Sequence, residues 1–173
     1  MYDVRKYNLP KMKINFKTDR LLLKPISVND SDFTIELVNT EEWKTFIGKR
    51  NIHTREEASE FIQKNTDDLN SFIWTVFLKK TEIPIGIITL LKRDYLEYHD
   101  IGFAFLPAYF HKGYAFESSD AVLNYIKINK LYEHVQAITS KDNFSSVKLL
   151  KKLGFRFEKE ITIENSKSNV YII

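Results

Sequence analysis

There is no cysteine in this chain of 173 residues, which removes disulfides, thiolate catalysis and cysteine-ligated zinc together. Long apolar runs are missing too. Nothing approaches the roughly 20 consecutive residues that a membrane-spanning helix needs, and the first residues carry no signal-peptide core. Charge is nowhere massed. The 26 basic and 23 acidic side chains leave a net charge of +3 and are interspersed, unlike the clustered basic face of a nucleic-acid binder. Among the histidines, His53, His111 and His134 lack metal-ligand spacing. These absences set the expectation of a metal-free cytoplasmic protein with neither a nucleic acid nor a membrane as partner.

What is present suffices for one folded domain. Hydrophobic residues make up 43% and aromatics 14% of the chain, a globular composition at a length that can bury a sizeable core. No repeat, low-complexity tract or linker interrupts it. Residues 1–17 read as a basic N-terminal extension packed loosely on a domain of residues 18–173. In that domain residues 18–26 form a first strand that Pro25 stops or places at an edge. Two helical pieces follow, carrying Phe33 and Leu37, then Trp43, Phe46 and Ile47. Thr54 with Glu57 three residues on has capping-box spacing and opens another helix. Residues 72–79 and 85–92 alternate as an antiparallel hairpin, and residues 95–106 make a fourth strand.

Residues 100–125, DIGFAFLPAYFHKGYAFESSDAVLNY, organise the rest. Ile101, Phe103 and Phe105 alternate with Gly102 and Ala104 until Pro107 stops the strand. A short loop then leads into a helix with Ala115, Ser118, Ser119, Val122 and Ile126 at helical spacing. A strand, a loop and a helix opening at Gly113 make an anion site, because the first helical N–H groups lack partners and the macrodipole adds positive potential. Lys112 adds a full charge. Beyond this helix, residues 135–139 read as a fifth strand. Asp142 and Asn143 cap a helix with Phe144, Val147, Leu150 and Leu153 on its apolar face, closed by Gly154. Residues 155–163 and 169–173 are two last strands around a polar turn at 164–168. The chain reads as one α+β domain with a mixed sheet.

Three segments, in order, resemble the GCN5-related N-acetyltransferase (GNAT) superfamily, and within it the RimJ/RimL-like ribosomal-protein N-terminal acetyltransferases. The loop Phe110-His111-Lys112-Gly113-Tyr114-Ala115 is similar to the pyrophosphate loop Q/R-x-x-G-x-G/A and to its W-G-K-G-Y-A version. Phe110 and His111 depart from it, His111 standing for the first glycine and expected to keep an ordinary φ. Thr18-Asp19-Arg20-Leu21 is similar to that branch's opening strand. Asn143-x-x-Ser146-x-x-Leu149-x-x-x-Leu153-Gly154-Phe155 resembles its N-x-x-[SA]-x-x-L-x-x-x-G-F segment.

The resemblance implies a mostly antiparallel sheet of about seven strands, splayed between the fourth and fifth, with helices on both faces. It implies that the pantetheine arm of acetyl-CoA pairs with the strand edge at Phe103, Ala104 and Phe105. Pyrophosphate would sit on the loop from Phe110 through His111, Lys112, Gly113 and Tyr114 to Ala115, with Asn143 and Ser146 contributing from the opposite wall. Asp100 matches the family's acidic position before I-G-[FY] and is a candidate base acting through water. The competing account pairs Asp100 with a Lys or Arg, and His99 is a further candidate base. Relatives place a leaving-group tyrosine seven residues after the asparagine, which here is Leu150. Ser146 is then the hydroxyl left to assist the departing thiolate.

The activity so implied is acetyl transfer from acetyl-CoA to a primary amine by direct attack in a ternary complex, best fitted to a protein or peptide N-terminal α-amine. Small-amine acetylation (a polyamine or an antibiotic amine) is the alternative within that chemistry, and a non-catalytic acyl-CoA-binding module the alternative outside it. The fold leaves room for a homodimer.

Overall fold

The computed structural model describes residues 12–163 and 166–173. The sheet runs β1 (Phe16–Lys17), β2 (Leu21–Pro25), β3 (Ser71–Leu78), β4 (Pro84–Lys92), β5 (His99–Phe105), β6 (Val135–Thr139), β7 (Arg156–Ile163) and β8 (Ser166–Ile172). Its spatial order is β1-β2-β3-β4-β5-β6-β8-β7. Every neighbouring pair is antiparallel except β5 and β6. The helices are α1 (Ser31–Val38), α2 (Glu41–Phe46), α3 (Arg55–Asp67), α4 (Tyr114–Ile128) and α5 (Phe144–Lys152).

Alternation along the strands divides the core in two. Leu23, Trp74, Ile88, Leu90 and Ile101 point to the face covered by α4 and α5 through Val122, Ile126 and Leu150. Ile73 and Ile87 point to the other, where Phe33, Leu37, Trp43, Ala58 and Ile62 of α1–α3 cover them. Helices therefore lie on both faces, as expected. The α3 capping box forms as its spacing predicts: Thr54 Oγ1 accepts the Glu57 N–H at 3.2 Å and Glu57 Oε2 accepts the Thr54 N–H at 3.0 Å, a cap worth about 1 kcal/mol.

Four expectations change. The sheet has eight strands rather than seven, because Phe16 and Lys17 pair with Leu23 and Leu22. Residues 12–17 of the supposed extension are built into the domain: Met12 and Phe16 are buried, Phe16 meets the rings of Trp74 and Tyr125, and Trp74 Nε1 donates to the Ile14 carbonyl at 3.0 Å. Residues 1–11 lie outside the described residues. In the predicted turn, 164 and 165 lie outside them too, whereas Ser166, Lys167 and Ser168 already pair with β7. Finally, Phe144 is 77% exposed while Leu150 is 1% exposed. At the first position of α5, right after its cap, Phe144 has no preceding helical turn beside it.

Candidate active site where two parallel strands diverge

The parallel pair β5/β6 is registered only through His99↔Val135 and Asp100↔Gln136. Beyond Asp100 the strands part, as expected between the fourth and fifth predicted strands, and backbone groups on both edges lose their ladder partners. Side chains satisfy part of this demand. On the gap side Asp100 Oδ1 accepts the Ile138 N–H at 3.1 Å, and before the paired stretch Gln136 Oε1 accepts the Tyr98 N–H at 3.0 Å. Gln136 Nε2 in turn donates to Glu158 Oε2 at 2.6 Å. Leaving such a buried donor unpaired would cost about 1–3 kcal/mol.

The edge of β5 that faces the gap stays open. Leu106 donates to the Ile85 carbonyl at 2.9 Å, so alternation turns the Leu106 and Ala104 backbone groups toward β4 and those of Phe103 and Phe105 toward the gap. Of the three residues expected to offer this edge, Ala104 has its backbone committed to β4. A second amide-bearing chain laid in the gap finds donors and acceptors at Phe103 and Phe105.

Asp100 is buried, and its second oxygen receives Arg93 Nε at 2.6 Å. Burial pushes its carboxyl up, against the opposing pull of the Arg93 guanidinium and the Ile138 N–H. Both oxygens are thus engaged, which is the pairing account of this residue. His99, the other candidate base, lies where the strands are still paired. Its ring lies against Tyr132 with centroids 4.2 Å apart and planes tilted by 34°, its Nε2 is buried with no partner among the described residues, and burial with the charge of Lys92 lowers its pKa to about 4.

After β5 a single 3-10 turn (Pro107–Tyr109) leads into the loop. The expectation of an ordinary backbone at His111 is corrected: its φ is +58°, a left-handed conformation that costs a non-glycine residue about 1–2 kcal/mol. Gly113, the N-cap of α4, has φ +81°. The chain thus turns through two left-handed residues, His111 and Gly113, with histidine in the first place. The N–H groups of residues 111–115 have no acceptor among the described residues. Together with the α4 dipole they form a concave cluster of donors suited to a diphosphate.

Three residues outside the expected site hold this loop from beneath. Arg20, immediately before β2, donates from Nη1 to the Lys112 carbonyl at 2.9 Å and from Nε to Glu117 Oε2 at 2.7 Å. Its guanidinium also lies 4.5 Å from the centre of the Tyr114 ring. Glu117 Oε1 accepts from Thr18 Oγ1 at 2.5 Å and from the Arg20 N–H at 3.0 Å. Burial alone pushes the Glu117 carboxyl up, but these hydrogen bonds outweigh it and hold it below the ordinary range. The signal in the sequence was the Thr18-x-Arg20 string; no spacing links it to Glu117.

The opposite wall comes from the chain after β6. Asn143 caps α5, its Oδ1 accepting the Ser146 N–H at 3.1 Å. Asn143 Nδ2 and Ser146 Oγ have no partner among the described residues, and both residues are half-buried. Because β5 and β6 are parallel, α4 and α5 begin at the same end of the sheet. Two helix N-termini therefore flank one cleft with an open strand edge between them. This arrangement suits a donor with a diphosphate, an amide-bearing arm and a leaving thiolate. Among the described residues no group of three acidic or histidine side chains is placed to hold a metal ion.

Known proteins share the pattern. The acetyltransferase (GNAT) domain family matches residues 20–156. An uncharacterized N-acetyltransferase of Bacillus subtilis, YnaD, is 29% identical over 145 residues, covering 84% of each chain. The GNAT-family acetyltransferase structure from Bacillus anthracis superposes with a TM-score of 0.77 at 28% identity, covering 92% of this chain and 98% of that one. Two others share the fold alone. The ribosomal-protein-S5-alanine acetyltransferase of Vibrio fischeri has a TM-score of 0.77 at 18% identity over 92% and 96% of the chains. A spermidine N-acetyltransferase SpeG chimera from Vibrio cholerae and hSSAT has 0.75 at 17% over 90% and 95%.

Proposed function

The chain belongs to the GNAT acetyltransferase family and is an acyltransferase, and from that premise we propose that it acetylates a peptide N-terminal α-amine with acetyl-CoA. Donor and acceptor meet in a ternary complex at the gap between β5 and β6. The pyrophosphate takes the N–H groups of residues 111–115, the pantetheine amides take the edge at Phe103 and Phe105, and Asn143 Nδ2 is free to donate to the same arm. The neutral amine nitrogen attacks the thioester carbonyl carbon, the C–S bond breaks, and the thiolate departs near the N-terminus of α5. There Ser146 Oγ donates a hydrogen bond and the dipole favours negative charge. The amine's proton leaves to water.

The observation that supports an α-amine is the engagement of Asp100. With one oxygen on Arg93 and the other on Ile138, it is poorly placed to take a proton, and the His99 ring lies against Tyr132 with its proton affinity lowered by burial. An acceptor for such a site needs a neutral fraction of its own. An α-amine, with a pKa near 7.7–8, is about one-tenth neutral at pH 7, whereas an alkyl amine near 10.4 is neutral in fewer than about one molecule in a thousand. The closeness of reactants then supplies most of the rate.

A second reading, a small cationic amine, is favoured by one feature. A cavity of about 360 Å³ beside the turn after β5 is lined by Glu36 and Thr40 with Pro84, Leu106 and Tyr109, and Glu36 there would attract a cation. Thiol release from acetyl-CoA, measured across acceptors, decides between them. Peptides with a free α-amine should be acetylated at least about tenfold faster than spermidine or than the same peptides with a blocked terminus and a free lysine. Preference for spermidine would shift the reading to small amines, and no turnover with any amine would reduce it to binding.

A further inference from the structure

We propose that Arg20, held by Glu117, is a positioning residue that sets the conformation of the diphosphate loop; this rests on the reading of residues 111–115 as the site for the donor's pyrophosphate. Core packing of Phe110, Tyr114 and Ala115 anchors the two ends of the loop but leaves the peptide groups between them to be oriented by other contacts. The loop's N–H groups must stay unpaired to meet a ligand, so hydrogen bonds through them are unavailable, and it carries two left-handed residues, His111 and Gly113. Shape has to be imposed through carbonyls and side chains. Arg20 does this at three successive residues: it takes the Lys112 carbonyl, packs against Gly113, and lies over the Tyr114 ring. A Cβ built on Gly113 would come within 3.3 Å of Arg20 Nη2, so the guanidinium occupies the space a side chain would need.

The Lys112 carbonyl is the decisive contact. A peptide carbonyl turned into the cleft would oppose an anion, whereas one drawn down to Arg20 leaves the neighbouring N–H groups pointing up. Arg20 is itself fixed by the fork to Glu117, whose other oxygen is held by Thr18 and by the Arg20 N–H. Glu117 stands on the first turn of α4, where an unpaired carboxylate would compete with the diphosphate for the same positive potential. The pair removes that competition while ordering the loop. Lysine cannot reproduce it, since one ammonium lacks the planar fork that reaches the carboxylate and the carbonyl together.

The test compares acetyl-CoA with acetyl-pantetheine, a donor that lacks the pyrophosphate and nucleotide, in wild type, Arg20→Gln, Arg20→Lys and Glu117→Gln. In Arg20→Gln the KM for acetyl-CoA should rise about 10- to 100-fold, with kcat at saturation and the acceptor KM changing less than about threefold. Turnover with acetyl-pantetheine should be unaffected by the substitution. Arg20→Lys should fall between wild type and Arg20→Gln, and Glu117→Gln should raise the acetyl-CoA KM by at least about fivefold. Equal losses with both donors, or an unchanged acetyl-CoA KM in any folded Arg20 variant, would overturn the positioning role. A wild-type enzyme that uses acetyl-pantetheine as well as acetyl-CoA would instead overturn the diphosphate reading, and this proposal with it. Should Arg20→Gln fail to fold, Arg20→Lys and Glu117→Gln carry the same comparison.

Discussion

The carboxylate of Asp100 accepts the N–H of Ile138 at 3.1 Å, so a side chain on β5 supplies a bond that the strand's own backbone no longer makes to β6. Asp100 is the last β5 residue registered with β6. It therefore stands at the point where a continuous sheet becomes a cleft, with Arg93 closing its other oxygen.

Replacing Asp100 by Asn separates structure from proton transfer. The amide keeps one acceptor for Ile138 but presents N–H groups or a neutral oxygen to Arg93. Stability should fall by about 1.5–3 kcal/mol, the range for a hydrogen bond to a charged partner, read by urea unfolding. Turnover of an α-amine at pH 7 should fall less than about tenfold. A loss of about 10²–10⁴ in kcat at unchanged stability would return the base role to Asp100.

His99 makes stability depend on pH. Its folded pKa of about 4 lies below the reference value of 6.5, so the unfolded chain binds the proton more readily. Its contribution is fully present above about pH 6.5 and is lost as pH falls toward 4. His99→Phe keeps a ring against Tyr132 and removes the titration. The stability of His99→Phe relative to wild type should grow as pH drops from 7 to 4.5; a constant difference would show that His99 is not buried as a neutral ring.

The two left-handed positions of the loop should respond in opposite ways. His111→Gly releases backbone strain and removes no N–H donor, so acetyl-CoA should bind within about threefold of wild type by calorimetry. Gly113→Val strains φ +81° and crowds Arg20, and binding should weaken at least about tenfold, near 1.4 kcal/mol. Unchanged affinity in a folded Gly113→Val variant would remove the loop from the donor site.

On the other wall, Ser146→Ala should lower kcat by about 3- to 100-fold, since one hydrogen bond to a charged group contributes roughly 1.5–3 kcal/mol at most. No loss would leave the thiolate to water. Leu150→Tyr will not act as a replacement acid. Leu150 is 1% exposed within the core under α5, and the larger ring should destabilise the fold by about 1–3 kcal/mol. A higher rate in a variant of native stability would contradict this.

Much of this protein is written in short windows of sequence. The period-2 runs of β3 and β4, the Thr54/Glu57 cap and the stop at Pro107 each depend on residues within a turn or two of one another. So does the glycine-opened helix with its unpaired N–H groups. Local sterics and local hydrogen bonds decide such features whatever the rest of the chain does. Tertiary structure decided the rest. Arg20 and Glu117 lie 97 positions apart, and only the docking of α4 against β1 and β2 brings them together. Asp100 reads in the sequence as a base or as half of an ion pair, and only the fold brings Arg93 and Ile138 to its two oxygens. Residues 12–17 carried a basic, unremarkable composition, yet Met12 and Phe16 fill the core because the face between Trp74 and Tyr125 would otherwise be bare. His111 took a left-handed φ because the loop must reverse there, and Phe144 stayed in solvent because none of the described residues covers the start of α5. Periodicity gives the face of an element, but what covers that face depends on distant parts of the chain, whose contacts repay their ordering entropy only when the whole domain assembles.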